Sequence, residues 1–289
     1  MREVTAICPG SCGELLQGWI GDSQKLVSYG IDSFSRVTVS DGNQLEVLPA
    51  KVRAAAEQTL QHFSIPLIQL SKIRIQVSSE LPIAKGMSSS TADIAAACQA
   101  VAAYFNHEIK REEILAICLN IERTDSILFP SLTLFEQTNG SMQVVSGWCP
   151  QFYVVVLEPD QMIATETCHS PLMEQLVYQQ RKNFTQVYYR YLEAVQEHSL
   201  TKLGEAASSS AKLNQEILPK PHFSRLMDMV EQHNLLGINV AHSGSVVGLL
   251  VEKKEQLPEI VKTIEASVLK DWYTQIRIHK SYYQGVQLA

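Results

Sequence analysis

The feature that most constrains this chain is a junction. Residues 72–78 alternate apolar Ile73, Ile75 and Val77 with polar Lys72, Arg74 and Gln76, the period of a half-buried strand. The strand runs directly into Pro82-Ile83-Ala84-Lys85-Gly86-Met87-Ser88-Ser89-Ser90-Thr91-Ala92. Residues 90–105 then place Ile94, Cys98, Val101, Ala102 and Phe105 at helical spacing. Bound phosphate needs backbone N–H donors at close range, small side chains that permit the approach, and the positive end of a helix. Gly86 permits the approach, and Ser88, Ser89, Ser90 and Thr91 are small and carry hydroxyls. Serine and threonine are equally ordinary helix caps, so the junction alone leaves both readings open. Neither Gly-x-x-x-x-Gly-Lys-[Ser/Thr] nor Gly-x-Gly-x-x-Gly occurs, and no Gly-x-Ser-x-Gly elbow supports a serine hydrolase. Ser209-x-x-Lys212 lacks the partner motifs of a serine β-lactamase and reads as helix surface.

The chain has 289 residues, 45% of them hydrophobic, enough for one large or two modest domains. A net charge of −6 leaves no basic surplus for a nucleic-acid backbone, so no nucleic-acid partner is expected. The N-terminal ten residues lack the apolar core of a signal peptide, and no apolar run has membrane-spanning length. The expectation is a cytoplasmic protein with no membrane partner. Cys8, Cys12, Cys98, Cys118, Cys149 and Cys168 are scattered and read as free thiols. Cys8 and Cys12 have no second Cys/His pair with zinc-ligand spacing.

Further strands are expected at 3–8, ended by Pro9-Gly10, within 27–40, at 152–157, at 246–251, and as an edge strand at 274–279. Helical spacing marks 52–63, 112–121, 172–198 in one or two pieces, 202–217, 223–233 and 257–268. The mixture is α+β, with a domain change near 148–151 that divides the chain into 1–149 and 150–289.

Three segments in order carry a family resemblance. Pro82, Gly86, Ser89 and Ser90 fit Pro-x-x-x-Gly-Leu-Gly-Ser-Ser-Ala, with Met87 for the leucine and Ser88 for the second glycine. Ser88 is therefore expected at negative φ or under modest strain. Pro9-Gly10-Ser11-Cys12-Gly13-Glu14-Leu15-Leu16-Gln17-Gly18 is similar to the N-terminal motif, with Ser11 in place of its basic residue. Residues 239–248 are similar to the C-terminal Gly-rich motif, keeping Gly244 and Gly248 and substituting Ser243 and Ser245. Together these resemble the GHMP kinase superfamily. The resemblance implies a ribosomal-S5-domain-2-like N-terminal domain, a ferredoxin-like C-terminal domain and a site between them that uses ATP and Mg²⁺. Below that level, Ser11-Cys12-Gly13-Glu14-Leu15, 84–93, 121–126, Leu132-Thr133-Leu134-Phe135, Leu218-Pro219-Lys220-Pro221 and 241–248 resemble the L-threonine kinases of propanediol utilisation. That family makes O-phospho-L-threonine and ADP from ATP and L-threonine, for the aminopropanol linker of cobalamin. A GHMP kinase for another small alcohol, such as homoserine, and a catalytically silent metabolite-binding regulator on the same fold are the alternatives.

Glu122 and Asp125 lie three apart at the end of an expected helix, and apart from the loop the solvated acid pair is the preferred reading. By analogy with the superfamily, residues 82–92 hold ATP, Ser90 and Glu122 hold Mg²⁺, and Asp125 orients or deprotonates the acceptor hydroxyl. Lys85 is left between a phosphate contact and solvent, and His242 between the substrate pocket and a structural role. An amino-acid substrate needs an acid for its ammonium and donors for its carboxylate. Glu14 and Asp32 are candidates for the first; backbone N–H groups of Ser11, Cys12 and Gly13, or of Ser243, Gly244 and Ser245, are candidates for the second.

Overall fold

A computed structural model describes residues 2–160 and 170–289; Cys168 lies outside the described residues. Two long strands, β1 (Glu3–Ile20) and β2 (Ser23–Asp41), form an antiparallel hairpin. β1 does not stop at Pro9-Gly10 as its sequence suggests. Register shifts between Pro9 and Ser11, Ser11 and Glu14, and Glu14 and Leu16 carry the strand onward. Bulges of this kind tolerate proline and re-aim side chains, so the Pro9–Gly18 motif is built into the strand as a set of bends.

Three helices cover one face of the N-terminal half. α1 (Ala50–His62) leads to β3 (Ile73–Ser79), which pairs with β2. α2 (Ser89–Tyr104) follows the phosphate-type loop, and α3 (Arg111–Ile121) packs beside it. α2 is alanine-rich and buries residues on most of its circumference, including Ile94, Ala95, Ala96, Cys98 and Val101. Small side chains on every side let it sit close to β1, β2, α1 and α3 at once. β4 (Thr133–Glu136) and β5 (Gln143–Val145), short segments that the hydrophobic pattern did not single out, extend the sheet beyond β2.

The second half begins with β6 (Tyr153–Glu158). α4 (Pro171–Gln179), α5 (Arg181–Glu197) and α6 (Leu200–Asn214) follow, so the helical stretch expected at 172–198 forms as two pieces. Then come α7 (Phe223–Gln232), β7 (Gly237–Val240), β8 (Val247–Val251), α8 (Leu257–Glu265), α9 (Leu269–Trp272), β9 (Gln275–Tyr282) and β10 (Gln287–Leu288). Among these, the spatial order is β7-β8-β6-β9, every pairing antiparallel.

β9 was expected at an edge. It is the outer strand of its own four, but it also pairs with β2 through Gly30 and Ile31, so it lies inside a continuous ten-stranded sheet. Its side chains are mostly exposed or half-buried, which is why its pattern resembles an edge. On the other side, Glu14 of β1 pairs with Val240 of β7. A core cluster joins Cys12, Leu15 and Tyr29 to Phe184, Ala207 and Ala241, so both halves share apolar packing. Cys8 enters a different cluster from Cys12, and the two thiols do not converge. Among the described residues no helix is long and apolar enough to cross a membrane.

α6 lies close against the start of β7 at Gly204, where an added Cβ would lie 1.9 Å from the Leu236 carbonyl oxygen. Backbone cannot yield as a flexible side chain can. Gly204→Ala is expected to cost about 1–3 kcal/mol, the usual range for overpacking, read as a lower urea midpoint. An unchanged midpoint would mean that α6 is not seated against β7.

Candidate active site

Three bends meet at one place. The loop of residues 82–88 crosses between the bends of β1 and the β7–β8 turn, held by backbone hydrogen bonds. Ser11 N donates to Met87 O at 3.0 Å and Gly13 N to Gly86 O at 3.1 Å. From the other side, Ser245 N and Val246 N both donate to Lys85 O, at 2.9 and 3.1 Å. Gly86 has φ +84, and an added Cβ would lie 2.3 Å from the Ala241 Cβ. The three sequence motifs are thus adjacent, and glycine is required where they touch. Leu218-Pro219-Lys220-Pro221 also finds its place: Lys220 Nζ donates to Gly244 O at 2.9 Å, bracing the β7–β8 turn.

A cavity of about 560 Å³ opens in front of this junction, at the N-terminus of α2. Ile83, Ala84 and Gly86 through Thr91 line it, with Pro49–Val52 of the α1 start, Glu122, Asp125 and Ser243. Lys85 does not face it. Its side chain is buried and donates to the Pro159 carbonyl beyond β6, so it takes neither a phosphate-facing nor a solvent-facing position.

Ser88 takes the strained one of its two expected conformations. Its φ is 55° and ψ 23°, so it is left-handed rather than at negative φ, and it makes no side-chain capping bond to α2. Its hydroxyl instead shares a 2.5 Å hydrogen bond with Ser11 Oγ and bonds the Asp125 carboxyl. A left-handed non-glycine residue is strained; the two polar contacts offset that strain.

The acids occupy the far wall. α3 ends at Ile121, and Glu122 leaves the helix with extended backbone. Its carboxylate accepts from Ser90 Oγ at 2.9 Å and Lys51 Nζ at 2.5 Å. Asp125 is fixed by its neighbour Ser126, whose N donates to Ser28 Oγ at 3.0 Å and whose Oγ accepts from Ser28 N at 2.9 Å. Asp125 keeps some accessible surface on the cavity side but is otherwise enclosed. Burial, then the Glu14 charge, raise its pKa to about 7; the Ser88 bond opposes the rise and Glu122 adds to it. The pair is therefore not a solvated one. Asp93 also lines the cavity; burial pushes its carboxyl up, against a hydrogen bond from Ser35.

Glu14 is buried and accepts from His242 N at 2.9 Å and His242 Nδ1 at 3.1 Å. Cys12 turns its side chain into the core, where burial raises the thiol to about 12. Asp32 is not brought to the cavity. The strand alternation that buries Ile31 turns Asp32 out, 49% exposed, where it accepts from Lys280 N and pairs with His279 across the β2–β9 seam. Lys51, Asp93 and Gln137 line the cavity without having been singled out. Asp93 had a signal, since it ends the 84–93 segment; a lone lysine at a helix start and a glutamine after a strand had none.

The sequence descriptions "GHMP kinases N terminal domain" and "GHMP kinases C terminal" match residues 50–128 and 191–270. The chain belongs to the GHMP kinase family, whose members use ATP as phosphate donor. It is 40% identical over 257 residues to an L-threonine kinase of Citrobacter freundii, covering 89% of each chain. An L-threonine kinase of Salmonella typhimurium is 41% identical over 249 residues, 86% of this chain and 83% of that one. A homoserine kinase structure from Cytophaga hutchinsonii superposes with a TM-score of 0.71 at 12% identity, covering 100% of this chain and 98% of that one.

Ser88 offers a test that separates backbone strain from hydroxyl function. Ser88→Gly and Ser88→Ala both lose the hydroxyl contacts, but only Ser88→Gly relieves the left-handed strain, about 1 kcal/mol, so Ser88→Ala should melt lower than Ser88→Gly. Equal melting temperatures for the two variants would mean that the left-handed backbone at this position carries no strain.

Proposed function

We propose that this chain transfers the γ-phosphoryl group of ATP to the side-chain hydroxyl of L-threonine, giving O-phospho-L-threonine and ADP for the aminopropanol linker of cobalamin. The observation that carries the reading is the meeting of the 82–92 loop, the start of α2 and the enclosed Asp125 around one cavity. The two L-threonine kinases at 40% and 41% identity support threonine as acceptor. The reading includes cytoplasmic action, where ATP and free amino acids are available.

In this reading, backbone N–H groups of residues 86–91 and the positive end of α2 hold the phosphates. Three carboxylates, Asp93, Glu122 and Asp125, face the cavity against the cations Lys51 and Arg123. A triphosphate entering such a wall needs a compensating cation. The hard oxygen donors Ser90 Oγ and Glu122, 2.9 Å apart, suit Mg²⁺, which takes few protein ligands and keeps phosphate oxygens and water. Bound there, Mg²⁺ would neutralise charge developing on the phosphate oxygens. Lys51 would then release Glu122 or share it.

Asp125 accepts the proton as the threonine Oγ–H bond breaks and the Oγ–Pγ bond forms. The bond from Pγ to the β–γ bridging oxygen breaks, and ADP leaves with that electron pair. An alcohol hardly ionises near neutrality, so a carboxylate helps most as the proton is lost in the transition state. A pKa near 7 makes Asp125 a stronger acceptor than an exposed aspartate.

The division into 1–149 and 150–289 is part of the same reading, and the two family matches fall on either side of it. The ferredoxin-like name for the second unit is supported by the element order β6, helices, β7, β8, helices, β9 with the spatial order β9-β6-β8-β7. The first unit takes the ribosomal-S5-domain-2-like name by family resemblance.

ADP release with L-threonine, L-serine, L-homoserine, mevalonate and galactose tests the acceptor: L-threonine should give the highest kcat/KM, and turnover of homoserine without threonine would refute the reading. Asp125→Asn should lower kcat by roughly 10²-fold or more. The sign of the pH effect follows from the raised pKa. Asp125 is neutral below about 7 and ionised above, so kcat/KM should rise through about pH 7 and lose that inflection in the asparagine variant. Glu122→Ala should raise the Mg²⁺ concentration needed for half-maximal rate; an unchanged metal titration would remove Glu122 from the ligand set.

A further inference from the structure

Behind the Glu14–His242 pair lies a second, much smaller cavity, of about 30 Å³. Gln17 of β1, Asn214 at the end of α6, and His242 and Ser243 of the β7–β8 turn line it. Gln17 is 7% exposed and Asn214 1%. Their side-chain carbonyl oxygens, Gln17 Oε1 and Asn214 Oδ1, are buried with no hydrogen-bond partner among the described residues. Buried acceptors are nearly always satisfied, and two orphans on one cavity point to a donor that arrives from outside.

The donor's chemistry follows from the walls. Among the described residues no lysine or arginine lines this cavity; Glu174 does, paired with Arg123, and the Glu14 carboxylate is bonded to His242. An anion would meet carbonyl oxygens and acids. A small cation with several N–H donors would meet acceptors on each side. The space admits one compact head group and no more.

The cavity also adjoins the site of chemistry. Gln17 Nε2 donates to Gln137 Oε1 at 3.4 Å, and Gln137 lines the large cavity that holds Asp125. Ser243 lines both cavities. Glu14 accepts from His242, which lines the small cavity, and exerts the largest charge effect on Asp125.

We propose that the small cavity receives the α-ammonium group of the amino-acid acceptor, with Gln17 Oε1 and Asn214 Oδ1 as its acceptors. This rests on the reading of the acceptor as a hydroxy-amino acid and deepens it. The hydroxyl stays at Asp125, the ammonium seats behind Gln137, and alcohols without an amine leave both oxygens orphaned. Rejection of such alcohols is then a property of two neutral amides rather than of an acid pair. Asp32, on the β2–β9 seam, has no part in it.

The test is steady-state turnover with L-threonine and with 3-hydroxybutyrate, which keeps the hydroxyl and carboxylate and lacks the amine. Gln17→Met and Asn214→Leu remove one acceptor each at similar size. Each should raise KM for L-threonine by about 10- to 100-fold, the scale of a lost hydrogen bond to a charged group, with KM for ATP little changed. The preference for L-threonine over 3-hydroxybutyrate should shrink by the same factor. An unchanged KM for L-threonine in both variants would mean that ordered water fills the cavity, and would overturn the proposal. Should either variant fold poorly, the wild-type protein still decides: equal kcat/KM for the two compounds overturns the subsite. The two readings fail separately. If wild type turns over L-homoserine rather than L-threonine, the threonine assignment falls while the dependence on Gln17 and Asn214 still tests the ammonium subsite. If the acceptor turned over has no amine, both fall.

Discussion

The site depends on one backbone stitch. The carbonyls of Lys85, Gly86 and Met87 are taken up by N–H groups from two distant parts of the chain, β1 and the β7–β8 turn. Backbone groups that find partners in this way have no need of water, and the loop needs no side chain to hold its course. In the proposed reading, N–H groups at the start of α2 would be the ones that meet an anion. The fit is close enough that an added Cβ on Gly86 would meet the Ala241 Cβ, and one on Gly244 the backbone of Lys85 and Gly86. Lys85 and Lys220, lysines in the motif segments, are used as internal braces, each with a main-chain carbonyl as partner.

Around that stitch the electrostatics are divided between two acids with different surroundings. Glu122 sits among hydroxyls and Lys51, in contact with the solvent side of the cavity. Asp125 is enclosed and feels Glu14 and Glu122 as like charges. In the proposed reading one carboxylate would hold a cation and the other would exchange a proton. This separation of roles by environment is a common way for a single site to provide both.

Much of this was legible in the sequence where a local period or a short motif carried the information. The switch from the two-residue period of β3 to the helical period of α2 located the loop, and the helices of both halves followed from apolar spacing. Long-range facts were not legible. β1 continues past Pro9-Gly10 because its partner strand supplies pairing on the far side of each bulge, which no local pattern records. β9 has the exposed pattern of an edge and is internal only because Gly30 and Ile31 of β2 meet it. For Ser88 the sequence left two alternatives, negative φ or strain, and could not decide between them, because the hydroxyl partners that accompany the strained one lie far along the chain, at Ser11 and Asp125. Asp32 and Glu14 look alike as acids on strands, and only the pleat separates the one facing out from the one facing in.

The seam between β2 and β9 has a mechanical consequence. With β1 joined to β7, β2 joined to β9, and a shared apolar cluster between the halves, the strands close a circuit around the junction. A clamshell swing of one half against the other would have to break sheet pairing on two sides. In the proposed reading substrate would enter by short, local displacements at the cavity rim, such as the Lys51–Glu122 and Arg123–Glu174 contacts letting go, while the frame that sets the distances stays still. The chain is built as a fixed vice with a movable latch.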